Sequence, residues 1–157
     1  MSNPLNVPKA KEIKPINFLF QRAEITVADL IHQLPIAKQL FRESVQLDLH
    51  PCGPIHWHYF GFTGDESTPF TLEVCLPIAQ VPPTYDGEFH FKRTDHFKCV
   101  RLQHEGAWHD LPRSYAIIME FMQRYQLEPA GVIRELYINA DFTDPDANIT
   151  EIQMGIL

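Results

Sequence analysis

The sequence predicts an α+β fold: duplicated βαββ units forming one antiparallel sheet, with two helices on one face and a pseudo-twofold axis between the units. Three observations lead to this prediction. A pattern of turn, tyrosine and strand residues recurs after 78 positions. Each copy contains segments in which apolar and polar residues alternate, as they do in half-buried strands. Each copy also contains one stretch whose apolar residues recur at helical spacing.

The repeat is clearest at a turn that contains proline and glycine. Residues 51–55 (PCGPI) align with residues 129–133 (PAGVI), and the same offset places Tyr59 on Tyr137. Because the alignment continues without a gap through the strand that follows, we interpret it as an internal duplication.

The first repeat begins with a strand and then a helix. Its elements are predicted to be strands over residues 17–27, 55–62 and 70–78, a helix over residues 35–47 and a turn over residues 61–69. The last strand has apolar residues at every second position, which places them on one face. Residues 88–91 are predicted to extend the sheet after a proline-containing link.

The second repeat has the same order of elements. Gly106 ends its first strand, Asp110 is expected to cap the helix, and Pro112 suits the first helical turn because its missing N–H would have no partner there. The predicted strands cover residues 97–104, 132–140 and 149–156, and the Asp-Pro-Asp sequence lies in a turn over residues 141–148. Leu34-Pro35 matches Leu111-Pro112 at an offset of 77, so one residue has shifted within the helix or its exit loop.

The predicted domain organisation is an N-terminal extended arm followed by one domain. The arm covers residues 1–15, which carry three prolines and no apolar run typical of a signal peptide. The domain covers residues 16–157, with repeats over about 16–80 and 95–157.

The charge balance bears on partners and location. The chain has 13 Lys and Arg against 20 Asp and Glu, so direct nucleic-acid binding, which needs basic residues to neutralise phosphates, is not expected. No apolar run is long enough for a membrane span. We predict a cytoplasmic protein that binds no nucleic acid and no membrane.

His56 and His58 lie two residues apart on a predicted strand and resemble the start of a cupin metal motif. A cupin would place a Glu four or five residues further on, where this chain has Phe62 and Thr63. The alternative is a pair of half-exposed strand histidines without a ligand role. We therefore predict no metal site and no cofactor.

Glu135 is the centre of a candidate binding site. It shares a strand face with Tyr137 and is the repeat counterpart of Trp57, while Tyr59 is the counterpart of Tyr137. A carboxylate among aromatic rings is a receptor for a cation, because each ring face attracts positive charge. The alternative is a solvated Glu135 paired with Arg134, Arg101 or a lysine.

The corner from His104 to Trp108 follows a strand and precedes the second helix. It is a candidate pocket rim. Alternatively it is a structural corner in which Gly106 takes an unusual backbone conformation and Trp108 covers the core.

The second half of the chain resembles the GyrI-like small-molecule-binding domain, the effector-binding module of AraC-type and MerR-type regulators such as Rob and BmrR. The resemblance is carried by the segments HEGAW at residues 104–108, LEPAG at 127–131, RELY at 134–137 and TEI at 150–152, in this order and spacing. It implies a duplicated βαββ fold with SHS2-like repeats and an aromatic cavity that contains Glu135. The resemblance implies that Glu135 is the family's binding Glu and that Trp57 and Tyr137 are wall residues of the cavity. The full set of predicted ligand-binding residues is Trp57, Tyr59, Trp108, Tyr115, Glu135 and Tyr137.

The resemblance also implies a function. We predict a stand-alone, non-enzymatic module that binds cationic aromatic compounds, without an attached DNA-binding domain. One alternative is a hydrolase of strained electrophilic toxins, with Glu135 acting beside Tyr137 or Tyr115. A second is a protein-interaction module of the gyrase-inhibitor kind, whose partner would be a regulator or a gyrase-like protein.

Overall fold

The structure, a computed structural model, describes residues 3–157, and these residues contain two α-helices and eight β-strands. The strands are β1 (Lys9–Ile13), β2 (Asn17–Ile25), β3 (His56–Phe60), β4 (Phe70–Ile78), β5 (His90–Arg93), β6 (Phe97–Glu105), β7 (Pro129–Asn139) and β8 (Ile149–Ile156). The helices are α1 (Ile36–Gln46) and α2 (Leu111–Arg124). Neither helix in the described part of the chain has the length and apolar content to cross a membrane.

The elements fall into two units. The first unit comprises Lys14–His96, and the second comprises Phe97–Leu157 together with the segment that ends at Ile13. Within the first unit the strand order is β3-β4-β2-β5, and within the second it is β1-β6-β8-β7. The paired strands in each unit are antiparallel, so the predicted α+β class with repeated βαββ units is confirmed.

The strand registers carry the same 78-residue repeat as the sequence. In the first unit Trp57 pairs with Val74, and in the second unit Glu135 pairs with Ile152. The pair Tyr59–Leu72 corresponds in the same way to Tyr137–Thr150. The duplication therefore extends to the cross-strand pairs, which are the contacts that stabilise a sheet.

The helix exits repeat as well. Asp48 and Gln126, which are 78 positions apart, both take the left-handed backbone conformation, with φ of 53° and 55°. The next residue donates its N–H to the fifth carbonyl upstream in each case, Leu49 to Ser44 and Leu127 to Met122. Because the exits keep the offset of 78, the one-residue shift in the alignment lies closer to the helix starts.

Each unit buries an apolar face of its strands against its own helix. In the first unit α1 packs against β4 and β2, over the alternating residues Leu72, Val74 and Leu76. In the second unit the core is formed by β6, β8 and α2, through Val100, Leu102, Ile118, Met122, Ile152 and Met154. These positions are the ones that strand and helix periodicity predicts.

Several element boundaries differ from the prediction. Strand β7 begins at Pro129 and not at residue 132. Gly131, with φ of 84°, allows a register shift between Pro129 and Ile133, so the strand starts within the segment that was predicted to be a loop. Strand β5 covers His90–Arg93 rather than residues 88–91, in register with β2. Asp110 is the N-cap residue of α2, as predicted, but its side chain makes no cap hydrogen bond. Its φ and ψ of −90° and −3° are helical because a 3-10 turn leads directly into α2.

Part of the predicted N-terminal arm forms regular structure. Lys9–Ile13 is strand β1, which pairs with β6 in the second unit. The arm's first two residues lie outside the described part of the chain.

Candidate functional site

Glu135 lies on the apolar face of the second unit. It stands opposite Ile152 of the core cluster, and it is 5% exposed. A carboxylate in this position needs polar partners, because burying an unpaired charge costs far more than burying an unpaired neutral polar group.

Two tyrosine hydroxyls supply such partners. Tyr137 donates to Oε1 of Glu135 at 2.5 Å, and Tyr115 donates from α2 to Oε2. Each carboxylate oxygen thus accepts a hydrogen bond from a phenol, and the two bonds hold the side chain between strand β7 and helix α2. The alternative of a solvated Glu135 is wrong.

The arginines named in that alternative have other contacts. Arg101 forms an ion pair with Glu151 at 2.9 Å. The guanidinium of Arg134 lies 3.8 Å from the ring centroid of Phe97. Adjacent strand residues point to opposite faces, so Arg134 and Glu135 serve different sides of the sheet.

Aromatic rings adjoin this carboxylate. The Trp108 ring meets the Tyr137 ring edge to face, with centroids 6.0 Å apart and planes at 79°. On its other side Trp108 contacts Phe142 at 5.4 Å, and its indole N–H donates to the Thr150 hydroxyl at 3.2 Å. Trp108 is therefore anchored at its polar end, and its ring contacts Tyr137, one of the two tyrosines that bind Glu135.

The corner before α2 is held by buried hydrogen bonds. His104 Nε2 donates to the Ala107 carbonyl at 3.0 Å, which leaves Nδ1 to accept from the Ser114 hydroxyl at 2.7 Å. Gly106 has φ of 120°, a conformation that L side chains rarely adopt, and its N–H donates to the Asn148 carbonyl. The corner thus has the structural role described in the alternative, and it also positions Trp108.

Trp57 and Tyr59 lie on strand β3 of the first unit. Both are 8% exposed, with ring centroids 6.5 Å apart, and Tyr59 also contacts Phe62 and Phe70. Trp57 occupies in its unit the ladder position that Glu135 occupies in the other. On this repeat equivalence, both stay predicted ligand-binding residues.

The histidine pair differs from the prediction. His56 and His58 are 3% and 0% exposed, not half-exposed, because their strand face is covered by residues that include Phe18. The nitrogen, oxygen and sulfur atoms of His58, Glu73 and Cys75 lie within 4.8 Å of one another. These three buried residues are the candidate metal ligands in the part of the chain that the structure describes.

A shallow surface groove with a volume of about 480 Å³ also lies in the first unit. It is lined by Ala37, Lys38, Phe41, Arg42 and Ile55, and it contains none of the predicted site residues. The groove carries two basic side chains, so it does not provide the carboxylate expected for a cation site.

Sequence reasoning missed three residues that contact His104 or Trp108. Thr150 and Ser114 are short polar residues on core-facing positions, a signal that could have identified them. Phe142 is a single apolar residue in a polar turn and is 69% exposed. An exposed aromatic residue of this kind could have been noted as a ring available for contact.

Comparison with protein families matches residues 7–157 to the GyrI-like small molecule binding domain. No curated protein matches the sequence significantly.

Several solved structures share the fold. The EcmrR C-terminal domain has a TM-score of 0.73 at 18% identity, covering 96% of each chain. In the EcmrR–DNA complex the TM-score is 0.77 at 16% identity, covering 95% of this chain but only 56% of that one, so this chain spans little more than half of EcmrR.

Two further structures with this fold are described as a hydrolase and as a complex with a small molecule. A hydrolase from Listeria innocua has a TM-score of 0.68 at 14% identity, covering 99% of this chain and 94% of that one. SAV2435 bound to tetraphenylphosphonium has a TM-score of 0.61 at 14% identity, covering 96% and 93%. At these identities the likeness concerns the fold alone. The family match covers nearly the whole chain, however, and on that ground this protein belongs to the GyrI-like small molecule binding domain family.

Proposed function

We propose that this domain binds cationic aromatic molecules through Glu135. The observation that carries the proposal is the buried Glu135 carboxylate, held by the hydroxyls of Tyr115 and Tyr137. A carboxylate oriented in this way supplies a fixed counter-charge, and a partly desolvated counter-charge attracts a cation more strongly than one in bulk water.

The neighbouring rings support an aromatic ligand. Trp108, Tyr137 and Phe142 form a chain of edge-to-face contacts beside the carboxylate. A cation over such a ring gains about 0.5–2 kcal/mol, and flat apolar groups of the ligand can stack on the ring faces. The carboxylate and the rings therefore favour a ligand that carries both positive charge and aromatic surface.

The structural neighbours support the same class of ligand. SAV2435 shares the fold and was solved with tetraphenylphosphonium, which is a cation surrounded by four phenyl rings. EcmrR places a domain of this fold in a protein that binds DNA. By analogy, ligand binding here would serve as a sensor or would sequester the compound.

The test is a titration of tetraphenylphosphonium and of neutral triphenylphosphine oxide into the wild type and Glu135→Gln. The variant keeps the side-chain shape and removes the charge. We expect it to bind the cation roughly 10- to 150-fold more weakly, since a charge-assisted contact contributes ~1.5–3 kcal/mol. The neutral compound should lose much less.

Glu120→Gln is the matched control. Glu120 lies on α2 with a side chain 72% exposed and pairs with Arg124, so this variant makes the same change in net charge away from the site. Equal losses for both compounds, or a loss of cation affinity in Glu120→Gln as large as in Glu135→Gln, would show that Glu135 is not the counter-charge.

A hydrolase is the second candidate, favoured by the two phenols on one carboxylate. In this arrangement Glu135 can take a proton from a water molecule that attacks the electrophile, while Tyr115 or Tyr137 donates a proton to the oxygen of the C–O bond that breaks. The hydrolase from Listeria innocua shares the fold. Incubation with a strained electrophile such as an aryl epoxide, followed by mass spectrometry, separates the two functions: a hydrolase forms the diol and Glu135→Gln does not, whereas a binding protein returns the compound unchanged.

We also propose that this domain acts without being joined to a DNA-binding domain. An antibody raised against this domain should then detect a band near 18.2 kDa in cell extract. A band of much higher mass would instead indicate attachment to a further domain.

A further inference from the structure

A second group of reactive side chains is buried in the first unit, on the strand face opposite the one that carries Leu72 and Val74. His58 stands directly across from Glu73, and His56 stands across from Cys75. All four are at most 3% exposed. Two neighbouring cross-strand pairs thus concentrate imidazole, carboxylate and thiol groups in the interior, where such groups are costly unless they are hydrogen-bonded, paired or bound to a metal.

The spacing of these groups suits a metal ion. The ligand atoms of His58, Glu73 and Cys75 lie within 4.8 Å of one another, and Cys75 Sγ is 3.6 Å from His58 Nδ1. Ligands bound to zinc at ~2.0–2.3 Å are separated by roughly 3.5 Å, so small side-chain rotations would bring the three atoms onto one ion. Nitrogen, sulfur and oxygen together are a donor set for zinc and similar divalent transition metals.

The orientation of His58 supports the same reading. Lys92 Nζ is 2.9 Å from His58 Nδ1, and an ammonium group can only donate, so Nδ1 presents its lone pair to the cluster. The proton of the ring is then on Nε2, which lies 3.1 Å from His56 Nδ1. A ligating histidine typically has its other nitrogen held by such a hydrogen bond.

A positive charge already lies against two of these three residues. The Lys92 ammonium contacts His58 and also forms an ion pair with Glu73 Oε1 at 2.5 Å. The other carboxylate oxygen of Glu73 is held by Arg22 at 2.8 Å. His58 and Glu73 therefore already hold a cation between them, and that cation is the Lys92 ammonium.

Lys92 is placed so that it can leave. It lies on β5, the outermost strand of its unit, and its side chain is 20% exposed. Its ammonium is 5.1–5.5 Å from the ring centroids of Phe18, Phe20 and Phe60. A flexible lysine at the edge of a sheet can turn towards water when a stronger cation arrives.

We propose that His58, Glu73 and Cys75 form a binding site for one divalent transition metal ion of the zinc type, and that Lys92 competes with the metal for this site. When the metal binds, the Cys75 thiol releases its proton to solvent and the Lys92 ammonium is displaced. The two negative ligands, carboxylate and thiolate, then balance the charge of the ion. The site is separate in its residues from the Glu135 site.

The experiment is a titration of reduced protein with Co²⁺, which reports thiolate ligands by a charge-transfer absorption band in the near ultraviolet. We expect the wild type to bind one Co²⁺ with this band and to lose the band when Zn²⁺ is added. Cys75→Ser should lack the band. A variant with Cys52→Ser and Cys99→Ala, which keeps Cys75 as its single cysteine, should retain it.

The Lys92→Met variant tests the competition. Methionine keeps an unbranched apolar chain against the phenylalanine rings and removes the charge, so Co²⁺ should bind roughly tenfold more tightly or better. His56→Gln removes the imidazole that orients His58, and it should weaken Co²⁺ binding by ~10–100-fold.

The outcomes separate clearly. Absence of the band in both the wild type and the single-cysteine variant would refute the metal site, whether or not Cys75→Ser folds. Unchanged affinity in Lys92→Met, with circular dichroism showing a folded protein, would refute competition by the lysine.

Discussion

At the scale of single residues, the partners of a buried carboxylate decide its chemistry. Glu135 and Glu73 are both buried carboxylates, but one is held by two neutral phenols and the other by an ammonium and a guanidinium. In the first arrangement neither phenol carries a positive charge, so the proposed cationic ligand would supply it. The second neutralises the charge within the protein, and a metal must compete for it.

Cys99 gives a prediction at this scale. Burial, together with the smaller effect of the Glu151 carboxylate, raises the pKa of the Cys99 thiol from 9.0 to about 11. Between these pH values the unfolded chain loses the thiol proton while the folded protein keeps it, so the free energy of unfolding falls as pH rises. The contribution of the Cys99 thiol to the free energy of unfolding is fully present below about pH 9. It falls by about 2–3 kcal/mol as the pH approaches 11.

Urea unfolding at several pH values from 8 to about 11 measures this effect. We expect the stability of Cys99→Ala to fall less steeply with pH than that of the wild type. Cys52→Ser, which replaces an exposed cysteine, should follow the wild-type slope. A Cys99→Ala slope equal to the wild-type slope would contradict the prediction.

At the scale of elements, the helix exits show how the repeat is built. Both α1 and α2 are followed, two residues after their last helical residue, by a residue with left-handed backbone, Asp48 after α1 and Gln126 after α2. The same pattern of N–H donation follows in both units. The position usually holds glycine, because other residues meet a steric cost there, and aspartate tolerates it better than glutamine.

Gln126→Gly is therefore expected to stabilise the protein by ~0.5–1 kcal/mol, and Asp48→Gly by less. The increase should appear as a higher midpoint in chemical denaturation without a change in slope.

Gln123→Gly is the control for that experiment. Gln123 is an exposed residue within α2, where glycine should lower the stability by ~1 kcal/mol. If Gln126→Gly destabilised the protein as much as this control, the left-handed conformation at residue 126 would not carry a steric cost.

At the scale of the whole molecule, the net charge of −7 adds a long-range attraction to the proposed contact at Glu135. A cationic ligand would approach through a negative potential, whereas a neutral ligand would not. This attraction is screened by salt over a Debye length of ~10 Å at 0.1 M.

The association rate of tetraphenylphosphonium should accordingly fall by roughly 3-fold or more when the salt concentration rises from about 20 mM to about 500 mM. Stopped-flow quenching of tryptophan fluorescence measures this rate. Triphenylphosphine oxide should associate at nearly the same rate in both buffers. A parallel fall for both compounds would mean that salt acts on the protein rather than on charge steering.

Much of the fold was predictable because its signals are local. Alternation along β4 and β8 and helical spacing in α2 reflect the two backbone periods, and the 78-residue repeat required the second unit to have the elements of the first. The shared face of Glu135 and Tyr137 follows from strand geometry alone. The family match over residues 7–157 confirms the resemblance read from the short motifs.

The remaining features depend on contacts between segments far apart in the chain. Sequence alone determined that Glu135 and Tyr137 share a face, but only the tertiary structure decided that Tyr115 reaches Glu135 from α2 and that Glu135 is buried. Spacing along the chain suggested no third ligand for His58. The register of β3 with β4 supplies Glu73 and Cys75, because cross-strand neighbours are chosen by pairing and not by sequence distance. Periodicity determines which face a side chain takes, while the elements packed on that face determine its burial and its partners.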